Sequence, residues 1–403
     1  MPGHERRSAV KFAKDNPDKM IEPILHAVAA DHVFDGAAVH ESAAVIVHDA
    51  RIVQVVPQVD VPRTIALQVL PEGAWLAPGF IDLQVNGGGD VLFNDQPTPE
   101  GVCTILAAHR KFGTTGLLPT LITDTDEKMR VALHTANAVF GREPGVLGIH
   151  LEGPYLSPEK AGIHDARQIR RPAPNDISML TKPRSGVLLV TLAPEVVPPG
   201  FITQLVAAGV RVSLGHSMAS CRQTIAAMGE GLRGFTHLFN AMRPLASREP
   251  GPIAQALDST DAWYGLIVDG IHVDPIMLRL ALRGIGNPLL VSDAMPPVGG
   301  TISTFSLNGK NITVQNGRCL THEGTLAGTV LDMATAVKNC VRLLGVSLPT
   351  ALRLASANPA KFIGLEHTLG RLLPGYRADL VAFDPSDMTV LATWVAGRAN
   401  IEL

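Results

Sequence analysis

The stretch Val146-Leu147-Gly148-Ile149-His150-Leu151-Glu152-Gly153-Pro154-Tyr155 decides how the rest of the chain is read. An apolar run ends in a carboxylate and a Gly-Pro break, the pattern of a buried strand surfacing at its carboxyl end. Alternation along a strand puts His150 and Glu152 on one side. Such a carboxylate can hold a metal at the mouth of a barrel. An N-capping acid or a salt-bridged surface glutamate has the same local sequence. The recurrence of the pattern at His216, His237 and Asp293 favours the metal.

Outward from this stretch, apolar runs alternate with helix-length segments. Strands are predicted at 80–85, 115–122, 146–152, 186–193, 210–216, 234–239, 263–269 and 288–293. Ala-rich helical patterns lie between several of them, at 99–111, 125–140, 200–208, 218–228 and 274–283. Runs buried on both faces and separated by helices make a parallel sheet. Eight of them predict a (β/α)8 barrel, with a doubly wound sheet as the weaker option, over residues 77–369. From 21 to 76 the pattern is β-like, with short β-branched runs such as Ala44-Val45-Ile46-Val47. The tail from 370 to 403 returns to strand character and is expected to complete a small β-sandwich domain built from both chain ends. Near 300–325 a β-hairpin insertion is expected, because Asn308-Gly309 and Asn316-Gly317 each sit between short β runs. Helices resume at 331–344 and 348–356.

Composition narrows the classes. The chain has 403 residues, of which 46% are hydrophobic and only 4% aromatic, so its core must be aliphatic. A net charge of −3 without a basic stripe argues against a nucleic-acid partner. No apolar run is long enough to span a membrane. Cys103, Cys221, Cys319 and Cys340 are widely spaced with no CxxC pair, as expected of free thiols in the cytoplasm. Residues 1–20 are charged and lack the apolar segment of a secretory signal. They read as a disordered extension, with a protein start at Met20 as the alternative.

Three strand ends carry candidate metal ligands: Glu152, His216 in Gly215-His216-Ser217, and His237 in Thr236-His237-Leu238. Two imidazoles and a carboxylate suit one divalent ion, zinc first and Fe2+, Mn2+ or Co2+ as alternatives, with a position open to water. Asp293, ending the last strand, could move a proton between that water and a leaving group; capping the next loop is its other reading. His164, in a glycine-bearing loop, could donate to a developing oxyanion. Arg248, His272 and the amides near Asn240 and Ala241 suit an anion. No GxxxxGK[ST] loop occurs, and Gly87-Gly88-Gly89 lacks dinucleotide spacing, so a small phosphorylated ligand is expected rather than a nucleotide.

These motifs, together with Pro78-Gly79-Phe80-Ile81-Asp82, Asp269-Gly270-Ile271-His272-Val273-Asp274 and Leu326-Ala327-Gly328, resemble the N-acetylglucosamine-6-phosphate deacetylase family of the amidohydrolase superfamily. The likeness runs from about Ile21 to the C-terminus. It implies a barrel with a small β domain that hydrolyses an amino-sugar acetamide, in amino-sugar catabolism or cell-wall sugar recycling. It implies Glu152, His216 and His237 as metal ligands, Asp293 as general acid/base and His164 at the scissile carbonyl. Asn240, Ala241, Arg248, His272, Gly162 and Leu326 would then hold the sugar phosphate. A homodimer or homotetramer is expected, in which the Arg248 loop reaches a neighbouring subunit. Many amidohydrolases carry His-x-His where this chain has Gln84-Val85-Asn86. Neutral amides are poor ligands, so one ion is expected, with Gln84, Asn86 and His150 around the ligands or the water. Two competing readings are an amidohydrolase acting on a cyclic amide and a non-catalytic sugar-phosphate-binding protein on the same barrel.

Overall fold

The computed structural model describes residues 25–399; the expected extension at 1–20 lies outside them. The chain opens with β1 (Leu25–Phe34), β2 (Val39–His48), β3 (Arg51–Pro57), β4 (Ala66–Val69) and β5 (Trp75–Pro78). After β5 a single glycine, Gly79, leads straight into β6 (Phe80–Val85). A Cβ at Gly79 would lie 2.1 Å from Thr115, so only glycine fits this crossing. A short ribbon, β7 (Gly87–Gly88) and β8 (Val91–Leu92), follows.

The barrel continues through β9 (Thr114–Ile122), β10 (Gly148–Glu152), β11 (Val187–Leu192), β12 (Arg211–Leu214), β13 (Gly234–Phe235), β14 (Trp263–Leu266) and β15 (Asn287–Leu290). With β6 these are the eight predicted strands, paired in parallel in the order β15-β14-β13-β12-β11-β10-β9-β6. A parallel bridge between Val85 and Ala294 joins the two ends and closes the barrel. Strands β6 and β9 are buried at every position, so even their polar residues, Asp82 and Gln84 in β6 and Thr114, Thr115 and Thr120 in β9, lie out of solvent.

Helices α1 (Pro99–Arg110), α2 (Asp126–Val139), α3 (Asp176–Leu180), α4 (Phe201–Ala207), α5 (Cys221–Gly229), α6 (Gly251–Leu257) and α7 (Pro275–Ala281) lie between the strands. Their starts carry local signals: Thr98, Thr125 and Asp274 accept backbone N–H bonds, and Ser220 with Gln223 forms a capping box. Helices α3 and α6 had no counterpart in the sequence reading.

The insertion is a four-stranded antiparallel sheet of β16 (Thr304–Leu307), β17 (Lys310–Gln315), β18 (Arg318–Leu320) and β19 (Leu326–Thr329). Both predicted turns join its strands. Asn308 and Gly309, then Asn316 and Gly317, all have positive φ, the conformation that a two-residue hairpin turn requires. Helices α8 (Met333–Asn339), α9 (Leu348–Ala355) and α10 (Ala357–Phe362) follow. Then β20 (Leu380–Phe383), β21 (Val390–Val395) and β22 (Arg398–Ala399) return to the first sheet in the order β22-β21-β20-β5-β1-β2-β3, with β4 on β1. This sheet has its own apolar cluster, including Val45, Leu76, Leu380 and Trp394. It docks at the amino end of the barrel. Val381 lies against Gly113, Thr393 Oγ1 donates to Arg110 O at 2.9 Å, and Arg377 bonds the carbonyl of Pro144.

Candidate active site

At the opposite, carboxyl end, the candidate ligands converge. Glu152 is the last residue of β10, and His216 and His237 stand just beyond β12 and β13. His216 Nε2 and His237 Nε2 lie 3.2 and 2.9 Å from Glu152 Oε1 and 3.1 Å from each other. All three residues are buried, and among the described residues they form a group able to hold a metal. His216 Nδ1 donates to Lys160 O at 2.7 Å, which leaves Nε2 as a lone-pair donor. His237 Nε2 faces that lone pair at 3.1 Å with Glu152 Oε1 alongside, a donor set that a cation between them would satisfy. A tetrahedral ion with bonds of roughly 2.1 Å sets its ligands about 3.4 Å apart, a few tenths of an ångström beyond the separations here, so this set fits one. The polypeptide is bent to achieve it: His216, His237 and Asp293 all have positive φ (47°, 31° and 53°).

Burial works to raise the Glu152 pKa, but the contacts with His216 and His237 outweigh it and hold the carboxyl well below its usual range. Asp293 experiences the reverse. Burial and the nearby Glu152 charge raise its pKa to about 6, against the opposing pull of His237, His272 and Asn86. Its Oδ1 accepts from Asn86 Nδ2 at 2.7 Å and Gln84 Nε2 at 3.1 Å, and Gln84 Nε2 also reaches Glu152 Oε1 at 3.2 Å.

His164 is brought back over the site by its loop. Its Nδ1 accepts the Thr123 N–H at 3.3 Å, so the neutral ring carries its proton on Nε2, 3.9 Å from Glu152 Oε2. Burial, then His216, pushes its pKa down to about 3, so the ring is neutral. His150 lies beneath Glu152, against Thr120 Oγ1 and Thr191 Oγ1 at 3.4 and 2.7 Å, and it is not part of the ligand group.

A cavity of about 330 Å3 opens above these groups. Asn86, Gly162, His164, Asn240, Ala241, His272, Asp293 and Leu326 from the sequence reading all line it. Arg248 does not: its residue is exposed and outside the cavity wall, because the loop after β13 carries it away. The sequence reading missed Glu159, Lys160, Thr325, Met295 and Ile267, which also line the wall. It also missed two supports. Thr123 orients His164, and Asp269 Oδ2 holds His272 Nδ1 at 2.6 Å. Such partners of ring nitrogens come from other elements or from a loop's own turn, so no spacing rule exposes them. The four cysteines are free, and among the described residues no helix is long and apolar enough to cross a membrane.

Known proteins are similar to this chain in sequence and fold. A sequence model of the Amidohydrolase family matches residues 75–399. The N-acetylgalactosamine-6-phosphate deacetylase of Shewanella sp. (strain ANA-3) is 44% identical over 80% of this chain and 82% of its own. The N-acetylglucosamine-6-phosphate deacetylase of Haemophilus influenzae is 36% identical over 88% and 94%. The crystal structure of N-acetylglucosamine-6-phosphate deacetylase from Pasteurella multocida covers 94% of this chain and all of its own, with a TM-score of 0.90 and 36% identity. With a family match across most of its length, relatives this similar and a barrel of the same build, the chain belongs to the amidohydrolase family.

Proposed function

We propose that the protein hydrolyses the acetamide of N-acetylglucosamine 6-phosphate, giving glucosamine 6-phosphate and acetate. The observation that carries this reading is the convergence of Glu152, His216 and His237 on one point beside Asp293, in a chain whose relatives bear deacetylase names.

Glu152 Oε1, His216 Nε2 and His237 Nε2 would hold one divalent ion, with zinc matching the donor set best. Such an ion supplies a Lewis acid and brings the pKa of a water from 15.7 to about 7. Asp293 takes a proton from the attacking water and returns it to the sugar nitrogen as the C–N bond breaks. A pKa raised to about 6 by burial and Glu152 suits both halves of that transfer at neutral pH. The His164 Nε2–H donates to the carbonyl oxygen as charge develops there, and a neutral ring can do this without ion-pairing to Glu152.

The phosphate would be met by the Ala241 N–H, by the Asn240 side chain and by the His272 Nε2 that Asp269 turns toward the cavity. Gly162 and Leu326 would line the sugar. Arg248, exposed within one subunit, would act on the site of a neighbour in a homodimer or homotetramer. Free thiols fit a cytoplasmic enzyme.

Acetate release from the phosphorylated sugar, with and without chelator, tests the reading. Loss of turnover on chelation and its return with zinc are expected. Equal rates on phosphorylated and unphosphorylated N-acetylglucosamine would remove the phosphate assignment. The relative named N-acetylgalactosamine-6-phosphate deacetylase favours a second substrate, so the galacto epimer belongs in the same assay.

A further inference from the structure

Two buried amides at the end of β6 are tied to the catalytic carboxylates, and one of them leaves an atom unused. An ionised carboxylate only accepts, so the nitrogen ends of Gln84 and Asn86 must be the ends that face Asp293 Oδ1. That fixes how the Asn86 amide is turned. Its Oδ1 is then a buried acceptor without a protein partner, on a residue that is 0% exposed yet lines the cavity. Buried acceptors in folded proteins are nearly always paired, and an unpaired one at a cavity wall marks where a ligand donor belongs.

We propose that Asn86 Oδ1 holds the attacking water together with Asp293 Oδ2, and that Gln84 is a positioning residue that locks Asp293 against Glu152. The inference rests on the deacetylase reading above. Water attacks with a lone pair aimed at the carbonyl carbon, so both of its hydrogens need acceptors that point them away. Asp293 Oδ1 is filled by the two amide N–H groups, which reserves Oδ2 for one hydrogen; Asn86 Oδ1 takes the other. The first proton passes to Asp293 and then to the nitrogen as the C–N bond breaks. The second stays on the new carboxyl oxygen and leaves when the acid ionises, so atoms and charge balance. Gln84 Nε2 spends one hydrogen on Glu152 Oε1 and the other on Asp293 Oδ1, which fixes the spacing of ligand and base.

The test uses the full-length, zinc-loaded protein. Asn86→Leu removes both the acceptor and the donor to Asp293; Asn86→Ala removes the same two groups without placing a bulkier apolar side chain there. Each is expected to lose about 100-fold in kcat, as for a single oriented group at a reacting centre, with KM within about threefold of wild type. Zinc affinity, titrated on the metal-free protein, should be unchanged in both. Gln84→Leu should weaken zinc about tenfold, as loss of a group that supports a ligand does, and lower kcat as well. The proposal is overturned if Asn86→Leu keeps kcat, or if its loss of kcat follows an equal loss of zinc. Should Asn86→Leu fail to fold, Asn86→Ala decides by the same criteria. A wild-type protein that releases no acetate from either phosphorylated epimer would instead overturn the deacetylase reading, before any variant is compared.

Discussion

The two ends of the same eight strands are built to different rules. At the carboxyl end, buried carboxylates and imidazoles lie within 4 Å of one another, and His216, His237 and Asp293 adopt a backbone conformation that disfavours any residue but glycine. At the amino end apolar contacts and oppositely charged pairs take their place. Trp263 stacks on Phe362 with ring centroids 6.1 Å apart, Gly113 packs against Phe80 and Val381, and Arg377 is neutralised by Asp379 while it bonds the Pro144 carbonyl. The mouth holds charge that burial opposes, and the apolar contact beneath it, with the terminal sheet, supplies the stability that lets the mouth persist. Activity and stability should therefore separate by position along one strand.

The sharpest way to break this contrast is Asp293→Asn. Turnover should fall by about 1,000-fold, the scale of a lost general acid/base. The melting temperature should hold or rise, because a carboxyl whose pKa is lifted by burial is disfavoured in its charged form. A large loss of stability would refute the separation. The mirror experiment is Trp394→Ala in the terminal sheet, where the ring is 2% exposed. It should cost about 3 kcal/mol or more in denaturant unfolding. The kcat/KM of the protein that remains folded should not change.

His164→Ala removes the neutral donor over the site and should lower kcat by about 100-fold. Zinc content should be unaffected, because His164 stands outside the ligand group.

His109 sharpens the comparison, being a buried imidazole near the mouth with no place in the chemistry. Its Nε2–H donates to Gly87 O at 2.9 Å, and burial pushes its pKa down to about 4. The folded state therefore resists protonation that the unfolded chain accepts below pH 6.5. Its contribution is fully present above pH 6.5 and is lost as pH falls from 6.5 toward 4. That loss is on the order of 3 kcal/mol at the low end. His109→Gln keeps a donor for Gly87 and should flatten the acid limb of unfolding measured against pH. The smallest effect is expected from Asp269→Asn, which loosens His272. KM for the phosphorylated sugar should rise several-fold while kcat stays near wild type, read from steady-state kinetics.

How much of this was legible beforehand follows from the physics of each part. All eight barrel strands were readable because a strand buried on both faces leaves a short, largely apolar run between helical patterns, as in Val187–Leu192. The hairpins of the insertion were readable because Asn-Gly is one of the few pairs that accepts two successive positive φ values. Glu152, His216, His237 and Asp293 stood out because each ends an apolar run. Helices α3 and α6 did not: α3 has only 5 residues, too few to show a period, and α6 opens on Gly251-Pro252, a pair that reads as a turn. Thr123 and Asp269 were invisible as supports because an ordinary threonine and aspartate acquire that role only through the ring beside them. Arg248 illustrates the opposite limit: the residue was identified, but its distance from the cavity depends on where a loop travels.

The join at Gly79 also sets an order of events during synthesis. Strand β5 lies between β1 and β20, and β20 begins at Leu380, close to the end of the chain. The whole barrel must leave the ribosome before the strand that covers this flank exists. Until then, β5 carries an open row of backbone donors and acceptors next to β6, the barrel's first strand. Shortening the chain before Leu380 would thus deprive the nascent protein of the strand that seals that edge, and would expose it to pairing with other chains although no residue of the catalytic mouth had been touched.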